Sequence, residues 1–467
     1  MVNTEVNAAV DPRDPLLRIQ RLLDPGTDSL LLERTDCGMI AATGAIKGNK
    51  VVVFASDATI KSGALGVAGS HVIVSAYREA MAKQIPIIGI WHSGGARLSD
   101  GVSSLNAFGE VFQSMIMASG RIPQLSLVLG PTAGGGAYGP ALTDIVVLAP
   151  EGRIFVTGPD VVKSVTGEDV DMASLGGPEA HSKNSGVAHV IAASEDAAID
   201  AIRQATALFA NQGHLDTDLE ELDLSVFVPP VSKRSYEVHP LIDAILDSQG
   251  EKLELLPVWA ENMSTVLGRF GGRTVGVIAN NPAHIGGVLD SAAAEKAARF
   301  VRTCDAFGIP LIVIADVTGF LPGAGQEWEG AVRRGAKLLH AFGEAVVPRV
   351  TLITRRAYGG AFVAMNAKSL GATRVFAWPT AEVSVMGAVA AVRVLHRRLL
   401  ADIAPEQREA MELELAAEHD KVSGGVAKAV EIGAVDEIVK PINTRTALAR
   451  ALAAAPHRRG AHGNIPL

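Results

Sequence analysis

Runs of apolar residues of strand length alternate along this chain with longer amphipathic stretches. PIIGIW at Pro86 is followed by a helical pattern through LNAFGEVFQSMIMASG, then by QLSLVLG at Gln124 and another turn. Continuous apolar runs bounded by turn residues predict buried, parallel strands, and the 3.6-residue spacing between them predicts crossover helices. The fold class expected is therefore α/β, built from successive βα units. Between Asp216 and Val238 the sequence DTDLEELDLSVFVPPVSKRSYEV turns acidic, then proline-bearing, and predicts a linker.

The pattern repeats. IPIIGIWHSGG leading to PQLSLVLGPTAGGGAYG has a counterpart in IPLIVIADVTGF leading to PRVTLITRRAYGGAFVA. Gly94 aligns with Gly319, Pro123 with Pro348 and Gly135 with Gly360, each at a separation of 225 (360 − 135). GNKVVVFASDATIKSG at Gly48 matches GGRTVGVIANNPAHIGG near Gly271, and RIFVTGPDVVKSVTG at Arg153 matches RVFAWPTAEVSVMG at Arg374, with small drifts. A repeat of this length predicts two copies of one fold in tandem, residues 1–232 and 233–467. The second copy carries an added loop after LPG, in which Glu327 and Glu329 read as solvated carboxylates.

Composition narrows the function. Of 467 residues 48% are hydrophobic but only 4% aromatic, so the core is expected to be packed from small aliphatic side chains. The net charge of −8, without a long basic run, argues against nucleic acid as a partner. Neither an export nor an organelle signal precedes DPRDP, and no apolar run approaches the roughly 20 residues that span a bilayer. A cytoplasmic protein without a membrane association is expected. Cys37 and Cys304 are isolated, and HExxH and CxxC are absent, so no metal site is expected. Cys304 reads as a small buried hydrophobe.

The candidate chemistry lies in the two glycine clusters, PTAGGGAYGPAL at Pro131 and AYGGAFVAM at Ala357. Each follows an apolar strand and precedes a segment able to start a helix. Glycine allows close backbone approach, and a helix start leaves N–H groups without intrahelical acceptors. Such donors suit an oxyanion hole, where removal of one costs about 2.7 to 4 kcal/mol of transition-state stabilisation. Tight strand-to-helix packing is the competing reading of any one cluster. A phosphate loop fits neither, since the Lys-Ser/Thr of a P-loop and GxGxxG are both missing. SGGARL at Ser93 offers a serine among glycines, but the GxSxG of a nucleophile elbow is absent. Arg97 and Lys61 are candidates for phosphates of an anionic ligand.

Motifs spread over nearly the whole chain resemble the carboxyltransferase (β) subunit of biotin-dependent acyl-CoA carboxylases, the acetyl-CoA and propionyl-CoA carboxylase group, in particular its actinobacterial members. They include DPRDPLLR, HSGGAR, AGGGAYGPAL, FVTGPDVVKSVTGEDV, LGGPEAHSKNSGVAHV, KAARFVRTCDAFGIPL, GFLPG, QEWEG, RRGAKLLHAF, RRAYGGAF, VFAWPTAEVSVMGA and HGNIPL. The resemblance implies two tandem crotonase-like (ClpP/crotonase) ββα-superhelix domains. It implies that amides near Gly134, Gly135 and Gly136 hold the thioester oxygen of acyl-CoA as it becomes an enolate. Amides near Gly359, Gly360 and Ala361 would hold the ureido oxygen of carboxybiotin. Lys61, Gly63, Ser93, Gly94, Gly95, Arg97, Tyr138, Phe362 and Val363 would line the substrate sites.

No side-chain general base is then required, because the biotin nitrogen left after CO2 release takes the α-proton. The family's site lies between the first domain of one subunit and the second of another, in a homohexamer arranged as a dimer of trimers. No AMKM-like attachment sequence and no ATP-grasp region occur, so the biotin carboxylase and biotin carboxyl carrier would reside on a separate (α) subunit. Val363 replaces the Asp common in relatives acting on propionyl-CoA, which leaves acetyl-CoA, propionyl-CoA and longer acyl groups as candidates. The pathway served (fatty-acid, mycolate-type or polyketide supply) is open. A biotin-dependent decarboxylase subunit and a crotonase-type hydratase are the alternatives.

Overall fold

The computed structural model describes residues 11–230, 234–423 and 425–466. Two compact units emerge, the first comprising residues up to Asn211 together with His462–Pro466, the second Gln212–Ala461. Residues 212–230, on the N-terminal side of the expected boundary, thus pack with the second unit. The reason is local. Gln212 accepts from the Thr274 N–H at 2.7 Å, Asp216 donates its N–H to Gly271, and Leu224 is buried in the second core.

The first unit is an eight-stranded sheet: β1 (Ser29–Leu30), β2 (Met39–Ile46), β3 (Asn49–Ser56), β4 (Ile87–Ser93), β5 (Gln124–Ala133), β6 (Ile145–Leu148), β7 (Arg153–Phe155) and β8 (Val190–Ile191). The order is β1-β2-β3-β4-β5-β6-β8, with β7 added to β5. The β1/β2 and β2/β3 pairs are antiparallel, the others parallel. The β3-to-β4 and β4-to-β5 crossovers carry the helices Val67–Lys83 and Val102–Ala118. Phe54, Ile73, Trp91, Val128 and Leu148 fill the core.

The second unit repeats this plan with β9 (Lys252–Leu255), β10 (Met263–Phe270), β11 (Arg273–Asn280), β12 (Leu311–Val317), β13 (Arg349–Tyr358), β14 (Arg374–Ala377), β15 (Glu382–Ser384) and β16 (Glu437–Ile438). Its order is β16-β14-β13-β12-β11-β10-β9, with β15 added to β13 as β7 is to β5. The α/β class and the tandem repeat are as expected from the sequence.

The repeat reaches further than its motifs. The Lys47-Gly48 and Gly271-Gly272 hairpin turns, all at positive φ, are each held by a carboxylate that accepts both N–H groups, Asp24 in one unit and Asp247 in the other. One expected equivalence is corrected. Ser93 pairs with Thr132 and Val317 with Ala357, so β4 and β12 are related by 224 (317 − 93) while β5 and β13 keep 225 (357 − 132). Gly95, not Gly94, is therefore the counterpart of Gly319. The second copy has one residue more between these two strands, which the glycine-rich text concealed. The QEWEG segment also differs: Ala324–Trp328 forms a short helix rather than a loop, with Gln326 accepting from the Ser291 N–H and hydroxyl.

Candidate functional site

Strand β5 ends at Ala133 and the chain turns at Gly134, with φ +57°, into the helix Gly135–Ala141. Strand β13 ends at Tyr358, and Gly359, at φ +58°, begins the helix Gly359–Ala364. L-residues avoid this left-handed region, so glycine is required at both points by backbone conformation.

The Gly134 N–H donates to the Phe155 carbonyl at 3.2 Å. Of the three amides expected to act in the first cluster, Gly134 is thus committed to the adjoining strand. Gly135 and Gly136 have no backbone or side-chain acceptor among the described residues. Gly360 and Ala361, 225 positions on, are likewise without one. The two turns therefore present equivalent pairs of donors. Their surroundings differ: a Cβ on Gly135 would lie 3.2 Å from the Phe108 ring, whereas one on Gly360 would meet nothing within 4 Å.

The Lys61–Gly63 and Ser93–Gly95 loops lock together beside the first turn. The Gly94 N–H donates to the Ser62 carbonyl at 2.8 Å, and a Cβ on Gly63 would lie 1.9 Å from the His92 carbonyl. A Cβ on Gly95 would be 3.1 Å from the Ala133 carbonyl, and one on Gly136 3.3 Å from Ser93 Oγ. Gly63, Ser93, Gly94, Gly95 and Gly134–Gly136 are thus brought together. The second unit has the same lock, Gly287 lying against the Asp316 carbonyl where Gly63 lies against His92. The IKSG and HIGG echo carried this signal.

The side chains singled out in the sequence are placed as follows. Ser93 is buried and its Oγ accepts from the Gly95 N–H at 3.3 Å; no acid or base is hydrogen-bonded to it among the described residues, so it is not equipped as a nucleophile. His92 is held neutral, its pKa pushed down to about 4 by burial and by Arg18. Arg97, partly exposed, donates through one guanidinium nitrogen to the Cys37 carbonyl at 2.6 Å. Lys61 is exposed, in a left-handed conformation with φ 46°. Tyr138 is half exposed and meets Phe112 edge-on, with the ring centroids 6.4 Å apart.

Beside the second turn lies a cavity of about 390 Å³, lined by Gly359, Gly360, Phe362, Val363, Val385 and Ile432 among others, with Lys428 as its one charged side chain among the described residues. This lining is mainly apolar, which suits a compact uncharged ring system with a polar edge at the turn. Among the described residues no cluster of His, Cys, Asp or Glu is arranged to hold a metal, and no helix is long and apolar enough to cross a membrane.

Comparison with known proteins adds independent information. Residues 16–463 match the carboxyl transferase domain family. The chain is 57% identical to a biotin-dependent acetyl-/propionyl-coenzyme A carboxylase beta6 subunit of Mycobacterium tuberculosis, over 100% of this chain and 99% of that one. It is 53% identical to a propionyl-CoA carboxylase beta chain of Rhodococcus erythropolis, over 99% and 98%. Among solved structures, the hexameric transcarboxylase 12S core with methylmalonyl-coenzyme A bound superposes with a TM-score of 0.90 at 36% identity, covering 97% of this chain and 92% of that one. A single-chain, multi-domain long-chain acyl-CoA carboxylase gives 0.81 at 25% identity, over 94% of this chain and 46% of that one.

Proposed function

Because this chain belongs to the carboxyl transferase family and is a carboxyltransferase β subunit of the biotin-dependent acetyl-/propionyl-CoA carboxylase type, we propose that its two glycine turns divide the chemistry between them. Gly135 and Gly136 receive the thioester oxygen of a short acyl-CoA, and Gly360 and Ala361 receive the ureido oxygen of carboxybiotin. The observation that carries this reading is the pair of equivalent, unengaged amide couples.

Carboxybiotin supplies the carboxyl group and, once that has left, the nitrogen that accepts the α-proton. The protein's part is electrostatic and positional. In the transfer a nitrogen–carbon bond breaks and a carbon–carbon bond forms at the acyl α-carbon, while negative charge grows on two carbonyl oxygens. Donors fixed in advance stabilise both without reorganisation. Holding two large substrates in register supplies the remainder. The cavity at Phe362 and Val363 supports biotin at the second turn, since its apolar walls would cover the ring while Gly360 leaves the approach open.

A separate biotin carboxylase and biotin carboxyl carrier subunit is the partner implied, and a homohexamer like that of the transcarboxylase core is the proposed assembly, in a cytoplasmic setting. The test is a panel of acyl-CoAs incubated with this protein and a carboxylated biotin carrier. Malonyl-CoA from acetyl-CoA, or methylmalonyl-CoA from propionyl-CoA, is expected. Absence of every carboxylated product from protein that keeps its oligomer would overturn the reading.

A further inference from the structure

Strand β7 has three residues and, among the described residues, pairs only with β5, yet it holds the first glycine turn in place. Successive carbonyls of a strand point to opposite sides. That of Phe155 accepts from the Gly134 N–H, while that of Ile154 faces away and accepts from His181 Nε2 at 2.7 Å. A nitrogen facing a carbonyl must carry the proton. Nδ1 then accepts from the Ser185 hydroxyl at 2.7 Å, and burial, which pushes the His181 pKa down, favours this neutral form. His181 is only 9% exposed.

The second unit supplies an internal control. Thr132 pairs with Ile154, and its equivalent Ala357 pairs with Val383. The Val383 carbonyl is the counterpart of that of Ile154, and it accepts at 3.0 Å from the backbone N–H of Gly425. Both strands that support a glycine turn are thus anchored on the same carbonyl, by an amide in one unit and by an imidazole in the other. The imidazole anchor can be removed by substitution.

We propose that His181 is a positioning residue for the first turn: by fixing the Ile154 carbonyl it holds β7, through β7 it holds Gly134, and so it aims the Gly135 and Gly136 amides. The proposal rests on the reading that these amides meet the thioester oxygen. It does not make His181 an acid or base, since its ring is bonded at both nitrogens to groups that do not react.

The test compares His181→Met, which removes the donor, with His181→Gln, whose amide can reach the same carbonyl, and with Ser185→Ala, which frees the ring to rotate. Each is assayed with the biotinylated partner while acyl-CoA is varied, and thermal midpoints are recorded. His181→Met is expected to lower kcat by about 10- to 100-fold, with KM for acyl-CoA within about threefold, because misaimed donors affect the transition state more than ground-state binding. His181→Gln is expected to recover most of the loss, and Ser185→Ala to fall between. Wild-type kcat in folded His181→Met, or equal impairment in the Gln variant, would overturn the proposal. Should His181→Met fail to fold, wild-type kcat in Ser185→Ala together with an inactive, folded His181→Gln would do the same. An inactive wild type would instead refute the carboxyltransferase reading itself.

Discussion

Gly134 and Gly359 both take a positive φ, +57° and +58°, at the same point of two sheets and 225 positions apart in the chain. Each is followed by two amides that have no acceptor among the described residues. Their constraints are unequal, since a Cβ on Gly134 would have only the Val156 carbonyl at 3.9 Å, while one on Gly359 would be 3.0 Å from the Val385 carbonyl.

Alanine at either position holds an L-residue at a positive φ that side chains rarely adopt, at a cost of about 1–3 kcal/mol. Gly359→Ala is expected to be the more destabilising, because contact adds to strain. Chemical denaturation of the two variants checks this, with lower midpoints in both and the larger drop for Gly359→Ala. Equal stability of wild type and both variants would contradict the backbone assignment.

Asp316 and His92 occupy equivalent places at the ends of β12 and β4. Asp316 is buried and accepts from Arg355 Nε at 2.7 Å and Arg356 Nε at 3.0 Å, with Arg355 stacked on the Tyr236 ring. Removing one partner of a buried pair strands the other charge, so Asp316→Asn is expected to cost about 3–5 kcal/mol. In the first unit buried Arg18 faces the neutral His92 at 3.4 Å and pairs with no carboxylate among the described residues. His92→Asp would supply one and is expected to raise the unfolding midpoint, a result opposite in sign to that of Asp316→Asn.

The sheets, the repeat and the equivalence of the two glycine turns were legible because strand periodicity and repeated text are local properties. What was not legible arrives from a distance. The Phe155 carbonyl that occupies Gly134 comes from a strand some twenty positions on, and nothing in AGGGAYG distinguishes the committed amide from its neighbours. Nothing around Arg97 in the sequence showed that the Cys37 carbonyl, sixty positions earlier, accepts from its guanidinium. The single inserted residue in the second copy slid Gly94 past its true counterpart because GG reads alike at either register.

His239 lies between two carboxylates, Glu254 at 2.8 Å and Glu237 at 2.7 Å. Its pKa is raised from 6.5 to about 9, first by the hydrogen bond to Glu254 and then by Glu237 against the opposing effect of burial. A raised folded-state pKa contributes stability that is complete below pH 6.5 and lost as the pH climbs through about 9. His239→Gln should remove that contribution, so the gap in thermal midpoint between wild type and variant is expected to close between pH 6.5 and 9. A gap independent of pH would show that His239 is not charged in the folded protein.

The claim that the second turn receives a reacting ligand is tested most directly at Gly360, where ordinary φ and empty surroundings let the fold accept a side chain. Carboxyl transfer from the carboxylated biotin carrier to acyl-CoA should be measured for Gly360→Leu alongside wild type, with the thermal midpoint of each. The account predicts an unchanged midpoint and a rate at least about 100-fold lower, the scale of losing one oxyanion contact. Transfer at the wild-type rate by the folded variant would contradict it.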